Sequence, residues 1–502
     1  MRILLTIGLA LFTHVVHAKL NVAAVFSDHA VVQRDKPLTV WGTTNPDARV
    51  SLEFANAIAE TVANEQGNWH VTLKEQSASA LPQTLVVRSG TEKIKRSDIL
   101  VGDVWHACGQ SNMGMTVAAV IKSMPNIEQR VRDFEQPGIR FLKIAEGPSR
   151  TLQTNFTSDP QWTVCADNTV GSFSAAAFFF AVRIHAEIGV PIGVIDSSRG
   201  GTPIEPFIPV SAFEGHPTLE RERELGENDD LEGIWRLTGG VRARSDVWLP
   251  GRLFNSRLSP IADFAATGVI WYQGESNCGV GEDPRQYQHK MRALVRGWRQ
   301  ELRNSELPFY FVQLPGFGPG ANWPYLREQQ RLAAGLTNTG MVVTIDLEHP
   351  GIHPPNKLDV GDRLARWALA RTYGRNIAFS GPIFKQATIN GDQVIVHFQH
   401  ADSGLMIANK SGLDSPAEQK EGALNHFEIT SDENIDGGIT WHPAKAEIRD
   451  TTVVVSADGI VAPVAVRYAY SPAPTNSNLF NRDGLPASPF CSRPELLSGE
   501  PK

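Results

Sequence analysis

Residues 99–112 read ILVGDVWHACGQSN, an apolar run that ends abruptly in small and polar residues. A continuous apolar run of this kind is typical of a strand buried on both faces of a sheet. Four further runs of the same type follow, at residues 191–198, 265–273, 307–315 and 340–347. Helix-like segments lie between them, so the pattern predicts an α/β fold with a doubly wound parallel sheet across residues 99–373.

Three of the intervening segments carry clear helix signals. The run FSAAAFFFAVRIHAEIG at 173–189 ends in a glycine stop, and YQHKMRALVRGWRQELR at 287–303 has an apolar stripe at helical spacing with basic residues near its end. WPYLREQQRLAAGL at 323–336 precedes the last apolar run. Residues 202–260, rich in Gly, Pro, Glu and Asp, predict instead a long excursion over the active face.

The regions on either side of this unit read differently. Short runs rich in Val, Leu, Thr and aromatic residues, separated by turn residues, fill residues 19–98 and return in 374–502. We therefore expect two β-sandwich-like domains flanking the α/β unit. Residues 1–18, MRILLTIGLALFTHVVHA, resemble a secretory signal with cleavage after Ala18, which predicts an exported protein, either periplasmic or secreted.

Composition narrows the classes of partner. The 502 residues carry a net charge of −7 and no long basic run, so on electrostatic grounds we expect neither nucleic acid nor an anionic membrane surface as a partner. After signal removal we expect no membrane contact, since no later run reaches the length of a membrane helix. The four cysteines form no CxxC pair, which argues against a zinc or redox motif, and neither their pairing nor an oligomeric state follows from the sequence.

Polar clusters follow directly after four of the apolar runs. They are Gly109–Asn112, Asp196–Thr202, Gln273–Asn277, and the segment from Asp346 to the sequence GIHPPNK. In open α/β sheets the ligand site lies outside the carboxyl ends of the strands, so all four clusters are predicted to meet at one edge. Each cluster alone also fits an ordinary turn or helix cap, and it is their combination that predicts a site.

The residue types in these clusters suit acyl transfer, which needs a nucleophile, a base and donors for the oxyanion. Ser111 stands at a strand-to-helix junction, outside a G-x-S-x-G motif, and His353 is a candidate base. Gly200 or Gly201 can offer a backbone N–H, and Gln273 or Asn277 a side-chain amide. We expect no metal, because Pro350 and Gly351 break any helix between His349 and His353. Cys108 lies within the predicted strand, where we expect a buried side chain that packs in the core.

The motifs GQSNM, SSRGGTPIEPF, WYQGESN and IHPPNKLDVGDRLARWAL resemble the sialate O-acetylesterase family, a branch of the SGNH hydrolases. The stretches VFSDHAVVQRDKPLTVWG and GLPASPF extend this resemblance over most of residues 20–490. It implies a serine esterase that removes O-acetyl groups from sugars through an acetyl-serine intermediate, without metal or organic cofactor.

The resemblance implies roles for individual positions. Ser111 is the implied nucleophile and His353 the general base, with an oxyanion hole built from the N–H groups of Ser111 and of Gly200 or Gly201 and from Gln273. Similar proteins often carry Asp two residues before the histidine, where this chain has Gly351. The residues left to orient His353 are Asp346, which we favour, Glu348, Asp359 or a main-chain carbonyl. Substrate-binding or supporting roles fall to a further group: Gln110, Asn112, Glu275 and Asn277.

The sugar is left open by the sequence. Sialic acids are implied by the family name, and acetylated plant glycans such as xylan or xyloglucan are an alternative. Trp235 and Arg242 are candidates for lining the sugar site. A non-catalytic carbohydrate-binding protein or a different ester hydrolase on the same scaffold are the competing interpretations; the former predicts no effect of changing Ser111, and the latter predicts hydrolysis of long-chain esters.

Overall fold

The computed structural model describes residues 19–128, 136–238, 245–279, 283–433 and 438–497. Its helices α1–α8 are Ser111–Gly114, Val117–Ser123, Ala175–Ile188, Pro217–Glu227, Leu231–Leu237, Tyr287–Glu301, Trp323–Ala333 and Lys357–Arg371. Its strands β1–β25 are Asn21–Val22, Val31–Gln33, Leu38–Thr43, Arg49–Phe54, Ala57–Val62, Asn68–Leu73, Ser79–Ser89, Glu92–Gly109, Ile139–Lys143, Trp162–Val164, Ile192–Asp196, Gly268–Tyr272, Phe309–Val312, Thr339–Val342, Ile383–Asn390, Gln393–Gln399, Leu405–Asn409, Ala417–Glu418, Phe427–Thr430, His442–Pro443, Lys445–Arg449, Thr452–Ser456, Ala465–Tyr468, Leu479–Asn481 and Phe490–Cys491.

The central sheet has the strand order β10-β9-β11-β8-β12-β13-β14. Its strands from β9 to β14 run parallel, and the edge strand β10 is antiparallel to β9. All five predicted apolar runs form strands of this sheet, and β9 is an additional strand. The predicted α/β class is confirmed, but the sheet is mixed and not purely parallel.

Helices cover both faces of this sheet, as two successive residues of β8 demonstrate. Adjacent residues of a strand point to opposite faces. Trp105 packs edge-on against Phe180 of α3, whereas His106 faces Trp298 of α6. Because β8, β11 and β12 are neighbours, with Asp196 opposite Ala107 and Tyr272 opposite Gly109, the three strands end together. The polar segments that follow them therefore meet at one edge.

The strand β8 also joins the central sheet to the N-terminal region. Its first half pairs antiparallel with β7, and its second half lies between β11 and β12. The residues of one apolar cluster come mainly from this N-terminal region, and a second separate cluster is built from residues 394–490. The proposed boundary between residues 98 and 99 thus falls inside a continuous strand. The domain boundaries stay a prediction.

The described parts of the predicted excursion, residues 202–238 and 245–260, form short helices and turns, among them α4 and α5. The predicted signal, residues 1–18, lies outside the described residues. Within the described ranges, no helix is long and apolar enough to cross a membrane.

Candidate active site

The turn after β8 depends on a glycine. Gly109 has φ 135, and a Cβ at this position would lie 2.1 Å from the carbonyl oxygen of Tyr272. A side chain would therefore push β8 away from β12. The chain then passes Gln110 and enters α1 at Ser111, so the serine stands directly at the carboxyl end of the central strand.

The structure brings Ser111 and His353 together across 242 positions of sequence. The Oγ atom of Ser111 lies 2.8 Å from Nε2 of His353, which belongs to the loop between β14 and α8. Ser111 is half-buried and His353 is exposed. Although the residue as a whole is exposed, partial burial, followed by the charges of Lys357 and His349, lowers the pKa of His353 below its ordinary value. The imidazole is thus neutral near pH 7 and able to accept a proton.

Asn112 fixes the two halves of this pair relative to each other. Its Nδ2 donates to the carbonyl oxygen of Ile352 at 2.9 Å, immediately before His353, and to a carboxylate oxygen of Glu275. Its Oδ1 accepts from Nζ of Lys357 at 2.5 Å. One fully buried amide therefore connects the serine turn, the loop after β12 and the histidine loop.

Lys357 and Glu275 flank this amide in a dry environment. Nζ of Lys357 also donates to the carbonyl oxygen of Pro354 at 2.8 Å and lies 5.0 Å from the ring centre of Tyr272. Burial lowers the pKa of Lys357 to about 7, and burial raises the pKa of Glu275. Both shifts disfavour charge, as expected for groups withdrawn from water.

Two backbone N–H groups are available beside Ser111. A Cβ on Gly200 would lie 3.7 Å from Cβ of Ser111, whereas nothing lies within 4 Å of the same position on Gly201. Among the described residues, no acceptor takes the N–H of Ser111 or of Gly200. Of the two glycines, Gly200 is therefore the better placed to donate to an oxyanion.

The amides of Gln273 and Asn277 point into the protein. Nε2 of Gln273 donates to Oε1 of Gln110 at 3.1 Å, to the carbonyl oxygen of Thr202 at 3.3 Å, and to Oδ1 of Asn277 at 2.8 Å. Nδ2 of Asn277 donates to both carboxylate oxygens of Glu205 at 3.1 and 3.3 Å. The structure does not leave either amide free beside Ser111, because buried carbonyl and carboxylate oxygens from neighbouring loops take their hydrogens.

Gln110 has the opposite arrangement. Its Oε1 accepts from Gln273 and from the backbone N–H of Ser276 at 3.2 Å. Gln110 is buried, and its Nε2 donates to no acceptor in the described part of the chain. The residue before the nucleophile therefore presents a side-chain donor whose other end is fixed. From the sequence, Gln110 is expected to have only a substrate-binding or supporting role.

The three acidic candidates for orienting His353 are held elsewhere. Asp346 accepts from both terminal nitrogens of Arg363 at 2.7 and 2.6 Å. Asp359 pairs with Lys410 at 2.8 Å and interacts with Asn356, and Glu348 accepts from the backbone N–H of Asn476. Within the described ranges, none of them forms a hydrogen bond or an ion pair with His353. The favoured candidate, Asp346, pairs with the buried guanidinium of Arg363. The closeness of Asp346 to His353 in the sequence gives no indication of this pairing.

The remaining candidates take simpler places. Cys108 is buried in β8, and burial raises the pKa of its thiol to about 12, which fits packing and not nucleophilic attack. Trp235 is half-buried in α5, and Arg242 lies outside the described residues. No group of three potential metal ligands occurs in the part of the chain that the structure describes. Lys357, which completes the network around Asn112, carried no sequence signal of burial.

Comparison with known proteins decides the family. Residues 101–370, more than half of the chain, match the family described as carbohydrate esterase, sialic acid-specific acetylesterase. The chain belongs to this family. The solved structure of a carbohydrate acetylesterase from Xanthomonas citri is similar, with 33% identity, a TM-score of 0.80, and coverage of 94% of this chain and 99% of that chain.

Sialate O-acetylesterases from animals are also similar over their length. The mouse protein is 25% identical, covering 94% of both chains, and the human protein is 25% identical, covering 93% of this chain and 91% of its own. These likenesses confirm the expected activity: this member of the sialic acid-specific acetylesterase family is a carbohydrate O-acetylesterase.

Proposed function

We propose that this esterase cleaves O-acetyl groups from sugars through an acetyl-enzyme on Ser111, with His353 as general base. The observation that carries the proposal is the 2.8 Å contact between Oγ of Ser111 and Nε2 of His353 at the common edge of three strand ends. A nucleophile within hydrogen-bond reach of a neutral imidazole is the arrangement that activates a serine hydroxyl.

The chemistry then proceeds in two steps. His353 takes the Ser111 proton while Oγ attacks the acetyl carbonyl carbon, and the oxyanion is held by the N–H groups of Ser111 and Gly200 and by Nε2 of Gln110. When the tetrahedral intermediate collapses, the sugar oxygen leaves and receives the proton from His353. Water, deprotonated by His353, attacks the acetyl-serine, releases acetate and restores the hydroxyl.

We assign the third oxyanion donor to Gln110 instead of Gln273. The support is the direction of the hydrogen bonds: the Gln273 amide hydrogens are taken by protein oxygens, whereas Nε2 of Gln110 is free of any described acceptor. The Gln110 side chain is already fixed, because its Oε1 accepts hydrogen bonds from Gln273 and Ser276. Its NH₂ group therefore loses little conformational freedom when it donates to the oxyanion, as a preorganised site requires.

We propose that His353 acts with Ser111 as a dyad, without a carboxylate partner. The other contacts of Asp346, Glu348 and Asp359 support this assignment. In a triad, a third residue orients the histidine ring. Here the hydrogen bond from Asn112 to the carbonyl oxygen of Ile352, next to His353, fixes the histidine loop instead.

Substitution of Ser111 and His353 tests the proposal. Ser111→Ala and His353→Ala are expected to lower kcat on p-nitrophenyl acetate by at least about 10³-fold, because either change removes proton transfer and covalent catalysis together. Acetate release from acetylated sugars is measured in parallel. A Ser111→Ala enzyme with kcat near that of the wild type would overturn the assignment.

Export and the domain division are proposed alongside the activity. The resemblance of residues 1–18 to a signal supports cleavage after Ala18, which N-terminal sequencing of the exported protein checks by finding Lys19 first. We also propose that residues 99–373 form a doubly wound catalytic unit between β-sandwich-like regions, with residues 202–260 over its active face. Limited proteolysis with mapping of the cut sites tests these boundaries.

A further inference from the structure

A buried ion pair is connected to the amide side chains of the active site. Glu205, in the short turn Glu205–Phe207 after β11, is fully buried, and its carboxylate accepts a hydrogen bond from Nζ of Lys290 in α6. Nζ of Lys290, itself buried, also lies 2.8 Å from a carboxylate oxygen of Glu222 in α4. Withdrawing such charges from water is costly, and apolar side chains of similar volume often stabilise a fold as well. The ion pair therefore needs an explanation other than stability.

The carboxylate of Glu205 is the start of a row of hydrogen bonds. Both of its oxygens accept from Nδ2 of Asn277, at 3.1 and 3.3 Å. Oδ1 of Asn277 accepts from Nε2 of Gln273 at 2.8 Å, and Nε2 of Gln273 also donates to Oε1 of Gln110 at 3.1 Å. These three amide side chains, which we call the amide row, therefore join Glu205 to the residue that precedes Ser111 in the chain.

The direction of the amide row is fixed at Glu205. The oxygen and nitrogen of an amide differ little in size, so the hydrogen-bonding partners decide which of the two faces a given neighbour. A carboxylate has no hydrogen to donate, so Asn277 turns its NH₂ group toward Glu205 and its oxygen toward Gln273. By the same rule Gln273 turns its NH₂ group toward the oxygen of Gln110. The NH₂ group of Gln110 is then left for the oxyanion.

Two backbone N–H groups support the same direction. The N–H of Ile204 donates to Oδ1 of Asn277 at 3.0 Å, and the N–H of Ser276 donates to Oε1 of Gln110 at 3.2 Å. A backbone N–H cannot accept, so a reversed amide row would leave both of these buried donors facing NH₂ groups. The backbone thus holds part of the direction, and the carboxylate supplies the rest.

We propose that Glu205 is a positioning residue of this esterase: its carboxylate, paired with Lys290, sets the direction of the amide row and so directs the NH₂ group of Gln110 at the oxyanion. The inference rests on the proposed function, in which Gln110 is the third oxyanion donor. Because Glu205 acts through the amide row, its loss should affect kcat, which depends on the oxyanion, and not the binding of the ester.

Two substitutions of Glu205 separate hydrogen-bond direction from shape. Glu205→Gln keeps the shape but supplies hydrogens, so Asn277 can turn over, whereas Glu205→Asp is shorter but remains an acceptor only. On p-nitrophenyl acetate we expect Glu205→Gln to lower kcat about 3- to 10-fold with KM within about twofold, the size of one ordinary hydrogen bond. Glu205→Asp should keep more of the wild-type kcat than Glu205→Gln. Thermal unfolding of each variant corrects kcat for the folded fraction.

Glu222→Gln is the matched control. It removes a buried carboxylate from the same lysine, Lys290, but Glu222 lies outside the amide row. We expect this variant to lose stability and to keep kcat within about twofold of the wild type once the folded fraction is corrected.

A double-mutant cycle tests whether Glu205 acts through Gln110. In a Gln110→Ala background no NH₂ group remains to be directed, so Glu205→Gln should change kcat less than about twofold there. If Glu205→Gln does not fold, Asn277→Leu takes its place in the cycle. It interrupts the amide row while leaving Glu205 paired with Lys290, and the same dependence on Gln110 is expected.

Four results overturn this inference. They are an unchanged kcat in Glu205→Gln, an equal loss of kcat in both Gln110 backgrounds, a lower kcat in Glu205→Asp than in Glu205→Gln, and an equal loss in Glu222→Gln. Each of them leaves the donor role of Gln110 intact as long as Gln110→Ala itself loses kcat. A Gln110→Ala enzyme with wild-type kcat is instead a failure of that donor role, and the role of Glu205 fails with it.

Discussion

The assignment of the third oxyanion donor gives the most discriminating prediction about the reaction. Gln110→Glu keeps an acceptor oxygen for Gln273 and Ser276 but replaces the free NH₂ group with oxygen. The two backbone donors, from Ser111 and Gly200, remain. One donor of three is therefore lost, and a carboxylate is placed beside the developing oxyanion. Because loss of one donor alone costs about 10²- to 10³-fold in kcat, or about 3–4 kcal/mol, kcat should fall by at least about 10²-fold. Binding of the uncharged ester is expected to change little, so KM stays near its wild-type value.

Gln273→Met is the matched control. It removes an amide of similar length that is fully buried and hydrogen-bonded to Gln110, Thr202 and Asn277. We expect this variant to lose stability, because each buried group left without a partner costs about 1–3 kcal/mol, while the folded fraction keeps kcat within about tenfold of the wild type.

The assay is steady-state hydrolysis of p-nitrophenyl acetate, with thermal unfolding of each variant to correct for the folded fraction. Gln110 is not an oxyanion donor if Gln110→Glu keeps kcat within tenfold of the wild type. The assignment is equally wrong if Gln273→Met loses 10²- to 10³-fold in kcat with an unchanged Tm, since Gln273 is then the donor.

Three further predictions concern the surroundings of this site. Asp346→Asn should lower kcat less than about tenfold but cost about 3–5 kcal/mol of stability by leaving Arg363 buried and unpaired, and a 10⁴-fold loss of kcat would instead indicate a triad. Because burial lowers the pKa of His106 to about 4 from 6.5, the free energy of unfolding should fall by about 3 kcal/mol between pH 7.5 and pH 4 relative to His106→Leu, and equal pH dependence in chemical denaturation would contradict this. Since His353 must be neutral to act and the charge of Lys357 lowers its pKa, Lys357→Met should move the acid limb of the kcat/KM profile to higher pH, and an unmoved limb would show that this charge does not act on His353.

The pattern of apolar runs was sufficient to predict most strands of the central sheet. The apolar runs that became β8, β11, β12, β13 and β14 are buried on both faces, and this is the condition under which a strand reads as a continuous apolar stretch. Strand β9 was not predicted, because Ile139–Lys143 is short and contains a charged residue, Arg140. The charge of Arg140 is compensated by Asp98, which is distant in sequence. A local pattern cannot show such a pair.

The site was predictable in its location but not in its hydrogen bonds. The strand-end rule places Ser111, Gly200 and His353 at one edge, and the structure brings them together. Which amide donates to an oxyanion depends on how neighbouring loops turn, and the roles of Gln110 and Gln273 differ only because one amide faces protein oxygens. Contacts between segments that are distant in sequence determine these hydrogen-bond partners, and they cannot be predicted from local patterns in a single sequence.

Covalent labelling shows whether Ser111 is the nucleophile that His353 activates. The protein is treated with a fluorophosphonate, digested, and mapped by mass spectrometry, with Ser111→Ala and His353→Ala treated in parallel. We predict one modified serine, Ser111, with no label in Ser111→Ala and strongly slowed labelling in His353→Ala. A label on another residue, or labelling of Ser111→Ala at the wild-type rate, would contradict this prediction.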